Sequence, residues 1–245
     1  MRQPRYTDRT SAFYGYFPPG VKWLLIVNVA MFLLWYLGGE PVQSHLLLLA
    51  LTPRLVVYSF PFFIWQLFTY MFLHGSIGHL LFNMLALWMF GTPLEQTWGT
   101  RRFLKYYFIC GVGAGLCDTA VNLALGRSTH TIGASGALYG LLLAFGVLYP
   151  ETRVLMNFLF PIKAKYLVVI YGAIALLSAV GENSGVSNVA HLGGMAFGYV
   201  YLKGRWPGLR MPDALGAYRR WRLRRAKRKF QVYLRKQGGR GPRVN

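Results

Sequence analysis

Six apolar stretches, each long enough to cross a bilayer and separated by short charged links, decide what this chain can become. A helix needs roughly 17–25 residues to cross the hydrocarbon core. The stretches fall at 21–38 (VKWLLIVNVAMFLLWYLG), 77–94, 103–125, 133–149, 166–181 and 187–203. The expected fold is an all-α polytopic membrane protein with six transmembrane helices. Composition agrees: 54% of residues are hydrophobic while the net charge is +20, a pairing that soluble domains rarely show.

Residues 39–76 are apolar enough to suggest a seventh span, but Pro53, Arg54 and Pro61 interrupt them. They are expected to form a membrane-embedded first loop. With six spans, all of the 27 Lys and Arg residues except Arg54 and Arg127 fall on one side. The positive-inside rule then puts both termini in the cytoplasm. A seventh span would strand the N-terminal cations outside. No small-residue cleavage site follows the first apolar run, so a signal-anchor-like first span is expected rather than a cleaved leader. Three parts follow: a cytoplasmic arm at 1–20, a six-span domain at 21–203 and a basic cytoplasmic tail at 204–245.

Ionisable and amide groups are costly inside spans, which makes each a functional candidate. Of the five histidines, only His79 and His191 fall in predicted spans. His79 precedes Asn83 by four residues, so both lie on one helix face. Ser135 sits in GASGALYG, beside Gly133, Gly136 and Gly140. The second, fourth and sixth spans enter from the same surface, and His79, Ser135 and His191 lie two to four residues past their starts. At 1.5 Å rise per residue, all three sit within roughly 3–6 Å of one level.

Small residues indicate which helices touch. Gly136, Gly140 and Ala144 form one small-xxx-small row, and Ala190, Gly194 and Gly198 form another. If the rows pack together, Ser135 faces His191. A serine hydroxyl becomes nucleophilic when an adjacent base removes its proton, and imidazole is the usual base. No Asp or Glu lies in the second, fourth or sixth span, so a dyad is expected, with Tyr139 one turn after Ser135 placed to pack on the imidazole. The Asn83 amide, a His79 N–H and the Ser135 backbone N–H could stabilise an oxyanion. Cys110 and Cys117 lie about 10 Å apart along one helix, too far for a disulfide, and read as packing thiols. No metal-ligand spacing is present, and this chemistry needs no cofactor.

Together, HLLFN at 79–83, GASGALYG at 133–140 and AHLGGMAFGY at 190–199 resemble the rhomboid family of intramembrane serine proteases. FGTPLEQTWGTRRFLKYY at 90–107 resembles the family's junction between the second and third spans. The resemblance covers roughly 21–203. It implies a six-helix bundle that cleaves single-span membrane proteins within or next to their transmembrane segments. Carried over, Ser135 is the nucleophile, His191 the general base, His79 and Asn83 hold the oxyanion, and Tyr139 stacks on the catalytic ring. The mobile cap over the site would be GENSGVS at 181–187, and the embedded first loop would be 39–76. The aromatic arrangement around Trp65 departs from the Trp-Arg pair of some members.

The tail run YRRWRLRRAKRKFQVYLRKQ carries Leu223, Ala226, Phe230 and Tyr233 at helical spacing. A cationic helix with an apolar stripe is expected to contact anionic lipid on the cytoplasmic leaflet, ahead of an acidic protein or nucleic acid. Two other functions compete with proteolysis. A catalytically silent relative that binds membrane proteins would typically lack the serine or histidine. A transporter would place its polar groups near the midplane. The expected location is the bacterial cytoplasmic membrane.

Overall fold

A computed structural model describes residues 17–59, 62–127, 130–156, 160–180, 188–205, 222–225 and 227. The chain up to residue 205 forms one compact unit and the remainder a second. Of the second, the described residues 222–225 and 227 are helical, with Leu223 exposed.

Helix α1 (Pro19–Leu37) starts on a proline at its first position, where the missing N–H costs nothing. Its next two amides, Gly20 and Val21, both donate to the Glu95 carboxylate at 2.7 Å. A buried acid thus satisfies donors that the helix itself leaves open. Val21, Leu24, Asn28 and Phe32 form the buried face, while Trp23, Leu33 and Leu37 point outward.

After α1 the chain breaks into short pieces: α2 (Gly39–Leu46), a 3₁₀ turn at Leu47–Leu49, α3 (Pro53–Tyr58), α4 (Gln66–Thr69) and a second 3₁₀ turn at Tyr70–Phe72. This is the interrupted 39–76 segment. A long helical path follows: α5 (Ile77–Ala86), a π-helical turn at Leu87–Gly91, and α6 (Thr92–Trp98). Gly99, at φ 77°, reverses the chain into α7 (Thr100–Ala124). Then come α8 (Ser135–Leu148), α9 (Ala164–Val180) and α10 (Asn188–Arg205).

Segments 19–37, 77–98 and 100–124 are long and apolar enough to cross a membrane, and 135–148 and 164–179 are shorter apolar helices. Large apolar side chains such as Trp23, Leu81, Phe82, Val169, Leu177 and Val200 lie on the surface. In water they would be a liability; in lipid they are the solvent-facing side.

The link between α8 and α9 corrects the all-α expectation. Strands β1 (Arg153–Met156) and β2 (Phe160–Lys163) pair antiparallel there, with Arg153 opposite Lys163 and Leu155 opposite Pro161. A two-stranded ribbon is all edge, which is where a strand tolerates proline.

The core is a seam of glycines joining α7, α8 and α10. A Cβ on Gly194 would overlap the Gly136 carbonyl, and one on Gly136 would lie 3.4 Å from the Ala190 carbonyl oxygen. The two small-residue rows do approach, but α7 closes the third side. A Cβ on Gly140 would lie 2.5 Å from Cys110 Sγ, and one on Gly193 would lie 2.7 Å from Cys117 Cβ. Both thiols are free; Cys110 is buried and Cys117 only half-buried.

Candidate active site

The start of α5 fixes the first two site residues. Ser76 is the N-cap, and its hydroxyl accepts from the His79 amide at 3.2 Å. With the helix start set, His79 and Asn83 share a face one turn apart. Both look toward Gly133: a Cβ there would lie 2.6 Å from His79 Nε2 and 3.7 Å from Asn83 Nδ2. Gly133 also has φ 116°, a conformation that other residues rarely adopt. Glycine therefore meets a backbone and a space requirement at once. Asn83 is 7% exposed, and its Nδ2 has no hydrogen-bond partner among the described residues. A buried amide donor without a partner is costly and calls for an explanation.

Two residues on, Ser135 opens α8. Its Oγ lies 2.8 Å from His191 Nε2, on the first turn of α10. The Tyr139 ring stacks on the imidazole, with centroids 4.1 Å apart and planes 6° from parallel. His191 is 7% exposed, and its Nδ1 has no hydrogen-bond partner among the described residues. Among the described residues, ring stacking rather than a carboxylate orients the imidazole. The glycine seam makes the approach possible, since Gly136 and Gly194 lie next to these residues and their backbones meet. A hydroxyl hydrogen-bonded to a held imidazole, beside inward-facing donors, can perform nucleophilic acyl transfer.

A rhomboid domain matches residues 61–207. This chain belongs to the rhomboid family. It is 38% identical over 138 residues to RHOMBOID-like protein 1 of Arabidopsis thaliana, covering 56% of this chain and 33% of that one. Against the mitochondrial Rhomboid protein 1 of Saccharomyces cerevisiae it is 31% identical over 224 residues, covering 84% of this chain and 57% of the other. Rhomboid protease GluP of Bacillus subtilis is 34% identical over 135 residues, 55% of this chain and 25% of that one. The chain thus spans between a quarter and three-fifths of these relatives' lengths. Family membership makes it an integral, multi-pass helical membrane protein.

Around this candidate site stand residues that the sequence did not mark. The Tyr70 carbonyl accepts from the Gly133 amide at 2.9 Å, and its hydroxyl donates to the Gly111 carbonyl at 2.7 Å. One tyrosine thereby fixes the glycine before the serine against α7. Gln66 organises the 39–76 loop, accepting from the Thr52 amide at 3.0 Å and donating to the Leu48 carbonyl at 3.0 Å. Trp65 and Thr69 also donate to carbonyls of Leu48 and Leu49. Irregular backbone without a regular ladder needs such side-chain partners.

The loop is then stitched to the segment before Ser135. Leu51 and Thr131 exchange two backbone hydrogen bonds of 2.9 Å, and the Thr52 hydroxyl pairs with His130 Nδ1 at 2.8 Å. The Thr131 hydroxyl donates to buried Asp118 at 2.8 Å. His74, 2% exposed, sets its ring edge-on to His79 with centroids 5.0 Å apart. Polar residues scattered through an irregular loop carry no period, so the sequence offered no signal for them. Pro53, Arg54 and Pro61 marked the loop itself, but nothing marked its polar contacts.

The cap expected at 181–187 lies outside the described residues, as does most of the basic tail. Among the described residues, no cluster of three or more His, Cys, Asp or Glu could hold a metal ion.

Proposed function

We propose that this rhomboid is an intramembrane serine protease that hydrolyses peptide bonds within or next to the transmembrane segments of single-span membrane proteins. The observation that carries the reading is the Ser135 Oγ to His191 Nε2 hydrogen bond of 2.8 Å under the stacked Tyr139 ring. One relative, Rhomboid protease GluP of Bacillus subtilis, bears the name of a protease, which supports it.

Chemistry follows from the placement. His191 Nε2 takes the Ser135 proton as Oγ attacks the scissile carbonyl carbon. The resulting oxyanion is held by the Asn83 amide, a His79 ring N–H and the Ser135 backbone N–H. The positive end of the α8 dipole points at the same place. The tetrahedral adduct then collapses, the C–N bond breaks, and His191 returns the proton to the leaving amine. In the second half, His191 takes a proton from water, the hydroxide attacks the acyl ester, and Oγ leaves and is reprotonated. Substrates whose helix unwinds readily are favoured, since an intact helix hides its carbonyls in its own hydrogen bonds.

The six-span topology with both termini cytoplasmic, a cytoplasmic-membrane location and contact of the basic tail with anionic lipid belong to the same reading. Charge bias supports the first, and the apolar stripe of the tail supports the last.

The parent and Ser135→Ala proteins, reconstituted in liposomes with a panel of single-span reporter substrates, test it. Cleavage by the parent and none by the variant is expected. If neither cleaves and a fluorophosphonate labels neither, the reading fails in favour of a silent, substrate-binding relative.

A further inference from the structure

The ribbon between α8 and α9 has no part in the proposed chemistry, yet its surface is unusual. Directly opposed residues of an antiparallel pair share a face. Arg153, Leu155, Pro161 and Lys163 therefore form one face, and Val154, Ile162 and Phe160 lie on the other. Val154 is buried, which seats the base of the ribbon on the helices. Beyond Val154 and Ile162, Leu155 is 52% exposed on the first face and Phe160 is 62% exposed on the second.

Its base is firmly joined to α9. The Ala164 amide donates to the Thr152 carbonyl at 2.8 Å, and β2 runs into the helix without a break. On the first turn of α9, Tyr166 is exposed, with Lys165 Nζ 5.2 Å from its ring centroid. Aromatic and cationic side chains at a helix start are the usual marks of a membrane–water boundary. Arg153, Lys163 and Lys165 outnumber the single acid Glu151, which pairs with both lysines.

We infer that the ribbon is an interfacial anchor whose partner is the lipid surface: Leu155 and Phe160 enter the acyl boundary while Arg153 and Lys163 sit at the phosphates. Two observations favour lipid over a protein partner. Apolar side chains project from both faces of the ribbon at Leu155 and Phe160, whereas a protein groove covers one. The ribbon is also continuous with α9, which is itself lipid-facing through Tyr166 and Val169. At about 3.3 Å per strand residue, Leu155 lies roughly 7 Å along β1 from Arg153 and Phe160 roughly 10 Å along β2 from Lys163. The anchor rests on the six-span reading only for the choice of leaflet.

Single spin labels at positions 151, 155 and 160, in a Cys110→Ala, Cys117→Ala background whose unfolding temperature matches the parent's, provide the test. Proteoliposomes of phosphatidylcholine and phosphatidylglycerol are probed with oxygen, which concentrates in lipid, and with a water-soluble nickel chelate. Labels at 155 and 160 are expected to be relaxed by oxygen and shielded from nickel, and the label at 151 the reverse. If both behave like 151, or only one of the two is shielded, the anchor is overturned and a soluble protein partner becomes the better occupant. Nickel added outside only, then after permeabilisation, reports whether 151 shares a side with a label at 101. Labels at 151 and 101 on opposite sides would sink the six-span reading and leave the anchor standing.

Discussion

Helices α8 and α9 are neighbours in sequence with similar apolar character, yet they live in different surroundings. From Gly136 to Gly146, α8 is buried almost throughout, wedged against α7 and α10 through glycines. Helix α9 buries Ala164, Leu167 and Ala175 and presents Tyr166, Val169, Ile174, Leu176 and Leu177 outward. The difference lies in the partner, since lipid is as apolar as leucine and gives helices no hydrophobic reason to associate. Close backbone contact has to supply the attraction, and only small residues allow it. Ser135 and His191 sit on the seam that has this contact; α9 contributes none of the site residues.

The sharpest way to break that contrast is a methyl group in each place. At Gly194 an alanine Cβ would strike the Gly136 carbonyl, a backbone atom that cannot swing away. Gly194→Ala is expected to destabilise by about 3 kcal/mol, at the upper end for overpacking, and to abolish cleavage by parting Ser135 from His191. Thermal unfolding in detergent and a cleavage assay read both effects.

Tyr139 tests the seam at its chemical end. Tyr139→Ala leaves the His191 ring without its stacked neighbour, and kcat is expected to fall about 100-fold with KM little changed. Tyr139→Phe keeps the ring and is expected to stay within about threefold of the parent. Equal loss in both variants would show that the hydroxyl, not the stack, is what matters.

On α9 the same methyl has the opposite sign. Among the described residues, a Cβ on Gly172 would meet only Met195, its Cε at 3.5 Å and its Sδ at 3.7 Å, ordinary contacts. Gly172→Ala is expected to stabilise by about 0.5–1 kcal/mol through helix propensity, seen as a higher unfolding temperature with activity intact. Destabilisation there would mean that α9 packs more tightly than its exposure indicates.

The smallest effect lies at the foot of α9. Hydrogen bonds from Lys163 and then Lys165 pull the Glu151 carboxyl down to about 2. A depressed carboxylate contributes stability above its unfolded value of about 4.3 and loses it as pH falls through the folded value. These exposed pairs are screened by solvent and salt, so the effect on unfolding is expected to be slight. Carbon-detected NMR of the Glu151 carboxyl should place its titration near 2; a midpoint above 4 would show that the pairs do not persist.

Much of this was legible in the sequence because it is periodic or compositional. The six apolar runs match α1, the 77–98 path, α7, α8, α9 and α10 to within a few residues at each end. Ser135, His191, Tyr139, His79 and Asn83 stood out because polar groups are rare in such runs. The four-residue strands did not, since RVLM and FPIK are too short to show alternation and one contains proline. Gln66, Tyr70 and His74 also stayed hidden, because their partners are carbonyls, amides and rings that only the fold brings near. The two small-residue rows predicted a pair of helices but could not reveal that α7 would complete the seam.

The π-helical turn at Leu87–Gly91 carries a consequence for angular phase. Each residue advances an α-helix by about 100°, so a turn holding one residue more than an α-turn rotates everything beyond it by that amount. On one side of the turn, Asn83 must look toward Gly133. On the other, Glu95 must look toward the first amides of α1. Deleting one residue between 87 and 91 would give a straighter helix in which only one of these directions could be kept. The site and the fastener of the first helix share a single rod because that rod is wound out of step in its middle.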